Sequence, residues 1–482
     1  MRIGNILIAD RDDLARMYDA ALGILDRVGM RVTHPRVLDR LEAYGARVSR
    51  ADRLARLPSG VVERAIGDMK KAVAGQTLPE ARRLSGGFEV SIGDGCFFLW
   101  DHETRTRRKA TTADFITTVR FADALPAVGS FAAPVEIGDV PVPVMAIEMQ
   151  ALCYLHSGKP SSVENNIPEQ LPYLYEMTKV VADYRPMTVG VNAGLGVTSP
   201  LTWGDRPSDL YFKGTELGWR GGGCYTMAIA GVNAPVTTEG CATQAAAELL
   251  GAWVCLMAVD SRGPIGTLVL TGTADMRTGK ACWSTPGAIR QNSLVAAMFH
   301  EIVGVPVNPT WTWYTDAVEP GYQAALDRER KIMEMAPQYG VAGFHLGDLD
   351  GASVFSLEQA LIDLDICRAA YELYRPADFR AERMAVREVE AMGLEPGQTH
   401  LGTDFTLEHF REGLWMSDLI PHPYWKEGGV GASEADVLEA AHARWQRIVA
   451  EHEPYRPPAG MVRGIDRVLE RARERGGRLP AV

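Results

Sequence analysis

Between residues 128 and 404, short apolar runs rich in β-branched residues alternate with longer runs of helical periodicity. Repeated strand–helix alternation predicts a parallel sheet covered by helices. The strand candidates are VGSFAAPV, KPSSVEN, MTVGVNA, CYTMAIA, IGTLVLT, VPVNPTWTW, VAGFHL and THLGTD. Eight candidates favour a closed (β/α)8 TIM-type barrel, and an open doubly wound sheet is the alternative.

The flanks of this region have a different, helical pattern. Residues 1–85 are predicted to form a helical N-terminal segment, because apolar residues recur on one helical face in DDLARMYDAALGILDRVG. Residues 86–430 are predicted to form the barrel, preceded by an entrance hairpin that turns at residues 93–95. The strongly charged residues 431–482 predict a helical C-terminal extension.

Charge and cysteine usage exclude several classes of protein. The formal net charge is −11, whereas a protein that follows a phosphate backbone needs a basic face. The first residues are neither a secretory signal nor a bilayer-spanning run. The seven cysteines form no CxxC pair, and no histidine pair has zinc-ligand spacing. We therefore expect a cytoplasmic protein with no nucleic-acid or membrane partner and no tightly bound metal.

The predicted barrel places its site in the loops that follow the strands. Polar and aromatic residues with suitable chemistry lie in or beside the expected strand ends. They are Asn192, Trp203, Glu239, Glu248, Arg277, Trp311, Trp313, Tyr314, Phe344 and His345. Each also has a structural interpretation: Glu248 could pair with an arginine on a neighbouring helix, and His345 could be a structural hydrogen-bonding residue.

The sequence NPTWTWYT, residues 308–315, concentrates aromatic rings at one expected strand end. Trp311 and Trp313 share one face of a strand, because side chains alternate. If that face points outward, the two rings pack under the helices. If it faces the mouth of the barrel, the rings suit a quaternary ammonium ligand, since a cation without N–H donors is recognised by aromatic faces.

Several sequence blocks resemble the trimethylamine methyltransferase superfamily. They are ILDRVGMRVTHPRVLDRLEAYGARV, DHETRTRRKATTADF, APVTTEGCATQAAAELL, GTADMRTG, TDAVEPGYQAALDRE and TLEHFREGLW, which follow one another in family order over nearly the whole chain. Members that act on trimethylamine contain pyrrolysine, whereas this chain has only the twenty standard residues. It is therefore similar to the branch without pyrrolysine, whose characterised members use quaternary amines such as glycine betaine.

The resemblance implies a barrel enzyme that takes a methyl group from a methylated amine. The acceptor would be Co(I) of a corrinoid (cobalamin) carried on a separate small protein, and a homo-oligomer is expected. Glu239 and His345 are the candidate catalytic residues. The candidate substrate-binding residues are Asn192, Trp203, Glu248, Arg277, Trp311, Trp313, Tyr314 and Phe344. Arg277 or His345 would hold a betaine carboxylate, since a bidentate arginine binds carboxylates most strongly.

Three departures from the family pattern lie near the expected pocket. They are TWTWYT in place of small residues, Val318 in place of a common lysine, and Glu239 in place of a small residue. A folate carrier could replace the corrinoid protein as acceptor. Two other classes stay open: a barrel lyase or hydrolase that uses Glu239, Asp275 or Asp404 for acid–base chemistry, and a non-catalytic betaine-binding protein.

Overall fold

A computed structural model describes residues 8–74, 90–93, 95–186, 192–219, 221–305, 307, 314–339, 344–393, 397–420, 425–426, 429–430 and 433–476. The α-helices are α1 (Arg11–Arg27), α2 (Pro35–Tyr44), α3 (Ser59–Val73), α4 (Thr112–Ala124), α5 (Val142–His156), α6 (Leu171–Ala182), α7 (Asp205–Glu216), α8 (Thr238–Val259), α9 (Pro286–Met298), α10 (Tyr322–Tyr339), α11 (Leu357–Tyr374), α12 (Ala381–Met384), α13 (Val386–Met392), α14 (Asp404–Gly413), α15 (Glu434–Glu451) and α16 (Ala459–Gly476). Single turns of 3-10 helix cover Pro168–Gln170 and His400–Gly402, and a π-helical turn covers Phe299–Val303.

The strands are mostly short. They are β1 (Met30–Val32), β2 (Arg47–Ser49), β3 (Leu54–Arg56), β4 (Val90–Ile92), β5 (Phe98–Asp101), β6 (Thr106–Arg108), β7 (Val128–Ala132), β8 (Ser161–Ser162), β9 (Glu164–Asn165), β10 (Asn192–Ala193), β11 (Leu195–Val197), β12 (Thr202–Trp203), β13 (Gly222–Ala230), β14 (Ile265–Ala274), β15 (Ala281–Cys282), β16 (His345–Leu346), β17 (Asp348–Leu349), β18 (Val354–Phe355), β19 (Trp425–Lys426) and β20 (Gly429–Val430).

Parallel pairing connects the central strands in chain order. β16 pairs with β4, β4 with β7, and β7 with β8. β9 pairs with β10, β11 with β13, and β13 with β14, all in parallel. One residue separates β8 from β9, and one separates β10 from β11. Each of these pairs therefore forms a single interrupted strand. The sequence-predicted strand VPVNPTWTW, which would join β14 to β16, lies largely outside the described residues. We propose closure into a (β/α)8 barrel on the basis of these ladders.

Two sequence-based predictions of strand structure are wrong. The expected entrance hairpin does not form: β4 pairs in parallel with β7 and β16, and β5 pairs instead with β6 and β18. The candidate THLGTD is helical, because Thr399 caps a 3-10 turn and Thr403 caps α14 through its side-chain oxygen. Threonine is common in strands and also caps helices, so its presence alone does not decide between the two.

The N-terminal helices pack on the apolar helix α8. A capping box between Asp10 and Asp13 starts α1, and its face carrying Leu14 and Leu25 is buried. α2 and α3 bury their apolar faces against α8 as well. By length and composition α8 could cross a bilayer, but most of its side chains are buried inside the protein. Burial on all sides explains why its sequence is apolar all round.

The C-terminal helices also pack against the outside of the helical layer. α15 lies against α4 and α11, and α16 lies against α5 and α6. Arg473 of α16 donates two hydrogen bonds to Glu148 of α5, one of them at 2.7 Å. A charged extension is therefore held by an ion pair in addition to its own apolar face, which includes the buried Met461 and Ile465.

A buried arginine connects α10 to the end of β16. Arg328 and Asp363 are both fully buried and form an ion pair at 3.4 Å. Arg328 also donates to the carbonyl oxygen of Asp348 at 2.9 Å. The network also includes α11. Asp363 on this helix accepts a hydrogen bond from the backbone N–H of Gly347 at 2.8 Å and another from Gln359 at 2.7 Å. Burial raises the pKa of Asp363, which the charge of Arg328 opposes.

Replacing this arginine should destabilise the fold strongly. We expect Arg328→Met to lower the free energy of unfolding by about 3–5 kcal/mol, because it leaves a buried carboxylate without its charged partner. Arg290→Met is the matched control, since Arg290 forms an exposed pair with Glu239, and such pairs contribute about 0–1 kcal/mol. Urea unfolding followed by circular dichroism measures both. Equal effects of the two substitutions would contradict a central role for Arg328.

Candidate active site

The side chains of β13 alternate between two environments. Thr226 and Ala228 are buried toward α8, where the Thr226 hydroxyl donates to Glu248. Tyr225 and Met227 lie on the other face and are partly exposed. Successive side chains on a strand point to opposite faces of the sheet. The face with Tyr225 and Met227 is therefore turned away from the helices and available to a ligand.

A carboxylate and an aromatic ring meet on that face. The Glu164 carboxylate accepts a long hydrogen bond of 3.5 Å from Asn166. A β-carbon on Gly194 would come within 2.7 Å of both Glu164 Oε1 and Asn166 Oδ1, and within 3.5 Å of the Tyr225 hydroxyl. A β-carbon on Gly196 would lie 2.7 Å from the Tyr225 ring. The two glycines thus make the room in which the carboxylate and the ring approach each other.

A second carboxylate, Glu136, lies within electrostatic range of Glu164. Burial raises the pKa of Glu164 above its usual range. Burial also raises the pKa of Glu136, Lys109 opposes this, and the charge of Glu164 raises it further. In the part of the chain that the structure describes, neither carboxylate forms an ion pair. The carboxyl ends of β7 and β9 therefore carry two partly enclosed acids whose negative charge no neighbouring side chain neutralises directly.

An aromatic pair lies beyond the end of β14. The ring centroids of Trp283 and Tyr314 are 5.5 Å apart. A β-carbon on Gly272 would lie 3.1 Å from the Trp283 ring, so the indole covers this glycine. Asp316 accepts from the backbone N–H of Trp283 at 2.6 Å, and the ammonium of Lys331 donates to the carbonyl oxygen of Tyr314. Burial lowers the pKa of Lys331 to about 7.

Two predicted charged residues are exposed and already paired. Glu239 lies in the first turn of α8 and contacts Arg290 at 3.3 Å. Arg277 is 87% exposed, and its guanidinium binds both carboxylate oxygens of Asp275 at 3.0 Å. The fork that was expected to hold a substrate carboxylate is therefore occupied by a neighbouring aspartate. Neither residue joins Glu136 and Glu164.

Other predicted residues lie in the core. Glu248 is fully buried and accepts from Ser199 at 2.6 Å, from the Leu201 N–H at 3.0 Å and from Gln244 at 2.9 Å. These bonds join α8 to the neighbouring loop and strand, and they stand in place of the arginine partner that the structural interpretation of Glu248 expected. Trp203 is buried in β12.

The remaining predicted residues lie in β10, in or beside β16, and in the aromatic sequence NPTWTWYT. Phe344 is buried, with the Arg328 guanidinium 4.8 Å from its ring centroid. Burial lowers the pKa of His345 to about 3, although a hydrogen bond with the Gly93 backbone opposes the shift. The backbone of Asn192 pairs with Glu164 in parallel register. Trp311 and Trp313 lie outside the described residues.

Sequence reasoning missed Glu136, Glu164, Tyr225 and Trp283 as site residues. Glu136 directly follows the run VGSFAAPV, and Glu164 lies within KPSSVEN. The position of both acids at strand ends was therefore a usable signal. Tyr225 is inside an otherwise apolar run, where only strand register decides which face its ring occupies.

Comparison with known proteins identifies the class of enzyme. The family model described as trimethylamine methyltransferase (MTTB) matches residues 1–476. A trimethylamine methyltransferase from Desulfitobacterium hafniense strain DCB-2 is 21% identical over 481 residues, covering 97% of this chain and 94% of the relative. A glycine betaine methyltransferase from D. hafniense strain Y51 is 22% identical over 467 residues and 93% of each chain. Trimethylamine methyltransferase MttB1 from Methanosarcina acetivorans is 24% identical over 282 residues, which cover 57% of this chain and 54% of the relative.

The protein is thus an enzyme of the methylamine/betaine methyltransferase type. More particularly, the chain belongs to the trimethylamine methyltransferase family, whose model covers it almost from end to end. The resemblance inferred from the ordered sequence blocks is confirmed.

Proposed function

We propose that this enzyme transfers a methyl group from a quaternary methylated amine of the betaine type to Co(I) of a corrinoid held by a separate small protein. The observation that carries the proposal is the pair Glu136 and Glu164, two partly enclosed carboxylates without an ion-pair partner among the described residues. Burial of uncompensated negative charge is unfavourable. A cationic ligand would supply the missing partner and recover that cost.

The shape around Glu164 suits a cation that has no N–H groups. A quaternary ammonium cannot donate a conventional N–H hydrogen bond, so it is held by charge and by aromatic faces. Tyr225 presents its ring over the glycines beside Glu164, and the Trp283–Tyr314 pair supplies further aromatic surface one strand along. If the strands close as proposed, these groups share one mouth.

The leaving group needs no acid from the protein. When the methyl carbon–nitrogen bond breaks, nitrogen keeps the electron pair and the substrate leaves as a neutral tertiary amine. His345 has a pKa of about 3 because of burial, so at neutral pH it is an uncharged imidazole and no imidazolium acid. We therefore assign His345 to positioning. We assign the negative charge that faces the cation to Glu164, in place of Glu239, the catalytic candidate from the sequence.

The corrinoid supplies the Co(I) nucleophile, as cofactors generally carry the difficult chemistry. The protein has to hold one methyl group in line and keep water out. Family membership favours the corrinoid over a folate carrier as acceptor. The carboxylate of a betaine would need a positively charged partner. Lys109 is the candidate for this role, because its charge acts on Glu136.

The carboxylate assignment can be tested with Glu164→Gln. We expect this variant to bind glycine betaine at least tenfold more weakly, while binding of the tert-butyl analogue, in which carbon replaces nitrogen, changes little. Wild-type affinity should fall as the pH drops through the raised pKa of Glu164, because protonation removes the charge that attracts the cation. The variant should lose the part of this pH dependence that Glu164 causes, while the part due to Glu136, whose pKa burial also raises, should remain. Calorimetric titration measures both ligands, and Glu169→Gln, an exposed neighbour, is the control.

Equal weakening of both ligands would make Glu164 a structural residue. The reaction itself is followed by the loss of cob(I)alamin absorbance on addition of betaine. Hydrolysis of a test ester or glycoside without corrinoid would favour the lyase or hydrolase class instead. Tight betaine binding without methyl transfer would favour a binding protein.

The aromatic prediction from the sequence concerns Trp311, Trp313 and Tyr314. We expect at least one of them to contact the quaternary ammonium, because a desolvated cation–aromatic contact contributes roughly 2 kcal/mol, or about thirtyfold in affinity. Leucine at the contacting position keeps apolar bulk and removes the ring quadrupole, so betaine binding should weaken by that factor. If all three single variants bind betaine normally and only melt at lower temperature, the rings are core residues.

Exposed apolar side chains follow β13 and β14 and offer a surface for the corrinoid protein. Val232, Val236 and Met276 are 65%, 74% and 79% exposed. They lie together, since a β-carbon on Gly231 would be 3.7 Å from Met276 Sδ and 3.8 Å from a Val236 methyl group. A partner that delivers its cobalt to the strand ends has to dock on this side of the protein.

Met276→Glu tests this docking surface. A charge in the centre of an apolar contact should raise the concentration of corrinoid protein required for half-maximal rate at least tenfold. The rate with free cob(I)alamin should stay unchanged, because no docking is needed. Met384→Glu, on an exposed methionine of α12, is the matched control. An equal loss with free cobalamin would place Met276 in the substrate site.

A further inference from the structure

Two histidines and a glutamate meet outside the candidate active site described above. His102 lies in the turn between β5 and β6, Glu358 in the first turn of α11, and His442 on α15. One ligand atom from each lies within 4.8 Å of the others. The residues are too far apart in sequence for any spacing pattern to reveal them, which is why the sequence predicts no metal centre.

The distances within the cluster suit a small cation. His442 Nδ1 is 2.8 Å from Glu358 Oε1, and His102 Nδ1 is 3.9 Å from the same oxygen. Zinc binds histidine nitrogen and carboxylate oxygen at about 2.0–2.2 Å, so tetrahedral ligands lie about 3.3 Å apart. The observed separations lie on both sides of that value. The two imidazoles are stacked with centroids 4.0 Å apart, at an interplanar angle of 16°.

The hydrogen bonds determine where the lone pairs point. His102 Nε2 is 3.1 Å from Glu439 Oε1; an ionised carboxylate only accepts, so Nε2 carries the hydrogen. In the neutral imidazole, Nδ1 of His102 then carries a lone pair, which faces the Glu358 carboxylate. Two electron-rich atoms face each other at 3.9 Å, an arrangement that a cation between them would stabilise.

The three residues also have hydrogen-bond partners of the kind that metal-binding side chains have. Glu439 orients His102, as carboxylates do in carboxylate–histidine–zinc sites. Glu358 Oε1 also accepts from the Trp445 indole at 2.9 Å, and Gln446 contacts His442 Nε2 at 2.9 Å. Hydrogen-bond partners of this kind hold metal ligands in place and are found at most metal centres.

We propose that His102 Nδ1, Glu358 and His442 Nδ1 form a binding site for a divalent transition metal ion, with zinc as the best-suited ion. Two histidines and one carboxylate are a common ligand set for such ions. When the metal binds at Nδ1, the proton of His442 moves to Nε2. The Gln446 side-chain amide rotates by half a turn, so that its oxygen accepts a hydrogen bond from that Nε2–H. With both imidazoles neutral, no proton is released.

Solvent reaches the edge of the cluster. A small cavity of about 60 Å³ is lined by His102 and Glu439. His102 and His442 retain 17% and 20% side-chain exposure, so an ion can enter from solvent. The ion would join the β5–β6 turn, α11 and the C-terminal helix α15, elements that are distant in sequence.

The test uses the full chain after removal of metals with a chelator. Zn²⁺ is titrated in competition with a chromophoric chelator, and Co²⁺ in a parallel titration, since tetrahedral Co²⁺ absorbs visible light strongly. We expect one equivalent per chain, a tetrahedral Co²⁺ spectrum, and binding at least tenfold weaker in His102→Ala and His442→Ala. His452→Ala is the matched control, because His452 forms a separate pair with Asp123 at 2.8 Å at the end of the same helix.

The wild-type stoichiometry and spectrum decide the matter even if a variant folds poorly. Absence of a bound equivalent in the wild-type protein would overturn the proposal and leave the cluster as a hydrogen-bonded clamp. Unchanged Zn²⁺ affinity in folded His102→Ala and His442→Ala, confirmed by cooperative melting, would overturn it as well. Zinc should also raise the melting temperature of the wild-type protein and of His452→Ala, and of neither ligand variant.

Discussion

The position of helix α10 beside the strand ends depends on the buried ion pair between Arg328 and Asp363. Both side chains are fully buried, and a buried pair is stable only when hydrogen bonds satisfy its remaining atoms. Asp363 accepts hydrogen bonds from Gly347 and Gln359, and one N–H of Arg328 donates to a backbone carbonyl. The end of β16 is thereby fixed against α10 and α11. One turn along α10, Lys331 holds the carbonyl of Tyr314, so the same helix face also places the aromatic pair.

Glycines in another part of the sheet make room for the groups that would face the ligand. Gly194 and Gly196 leave space for the Glu164 carboxylate and the Tyr225 ring, since a β-carbon at either position would collide with them. The enclosed carboxylates Glu136 and Glu164 lower stability, because burial penalises their charge. Such a cost is characteristic of functional sites. The proposed cation would offset it when bound.

The His102–Glu358–His442 cluster has a different relation to the fold. It lies where α15 packs against α11, and it joins the C-terminal helices to the β5–β6 turn. The charged sequence of α15 is therefore part of a polar contact with the central domain as well as a solvated face. A metal ion there would act on the attachment of this helix, while the strand-end groups act on the ligand.

Local patterns in the sequence determined a large part of the secondary structure and the family. The periodicity around Leu14 and Leu25 is enough to predict α1, because helix geometry depends on neighbours three and four residues apart. The runs CYTMAIA and IGTLVLT predict β13 and β14, because short apolar runs of this length are typical of buried strands. Tertiary structure alone decided that β4 pairs with β7 and β16, that Glu248 is buried while Glu239 is exposed, and that Glu136 lies within electrostatic range of Glu164. It also brought His102 to His442. These facts depend on strand register and on contacts between distant residues, and a local pattern carries no information about either.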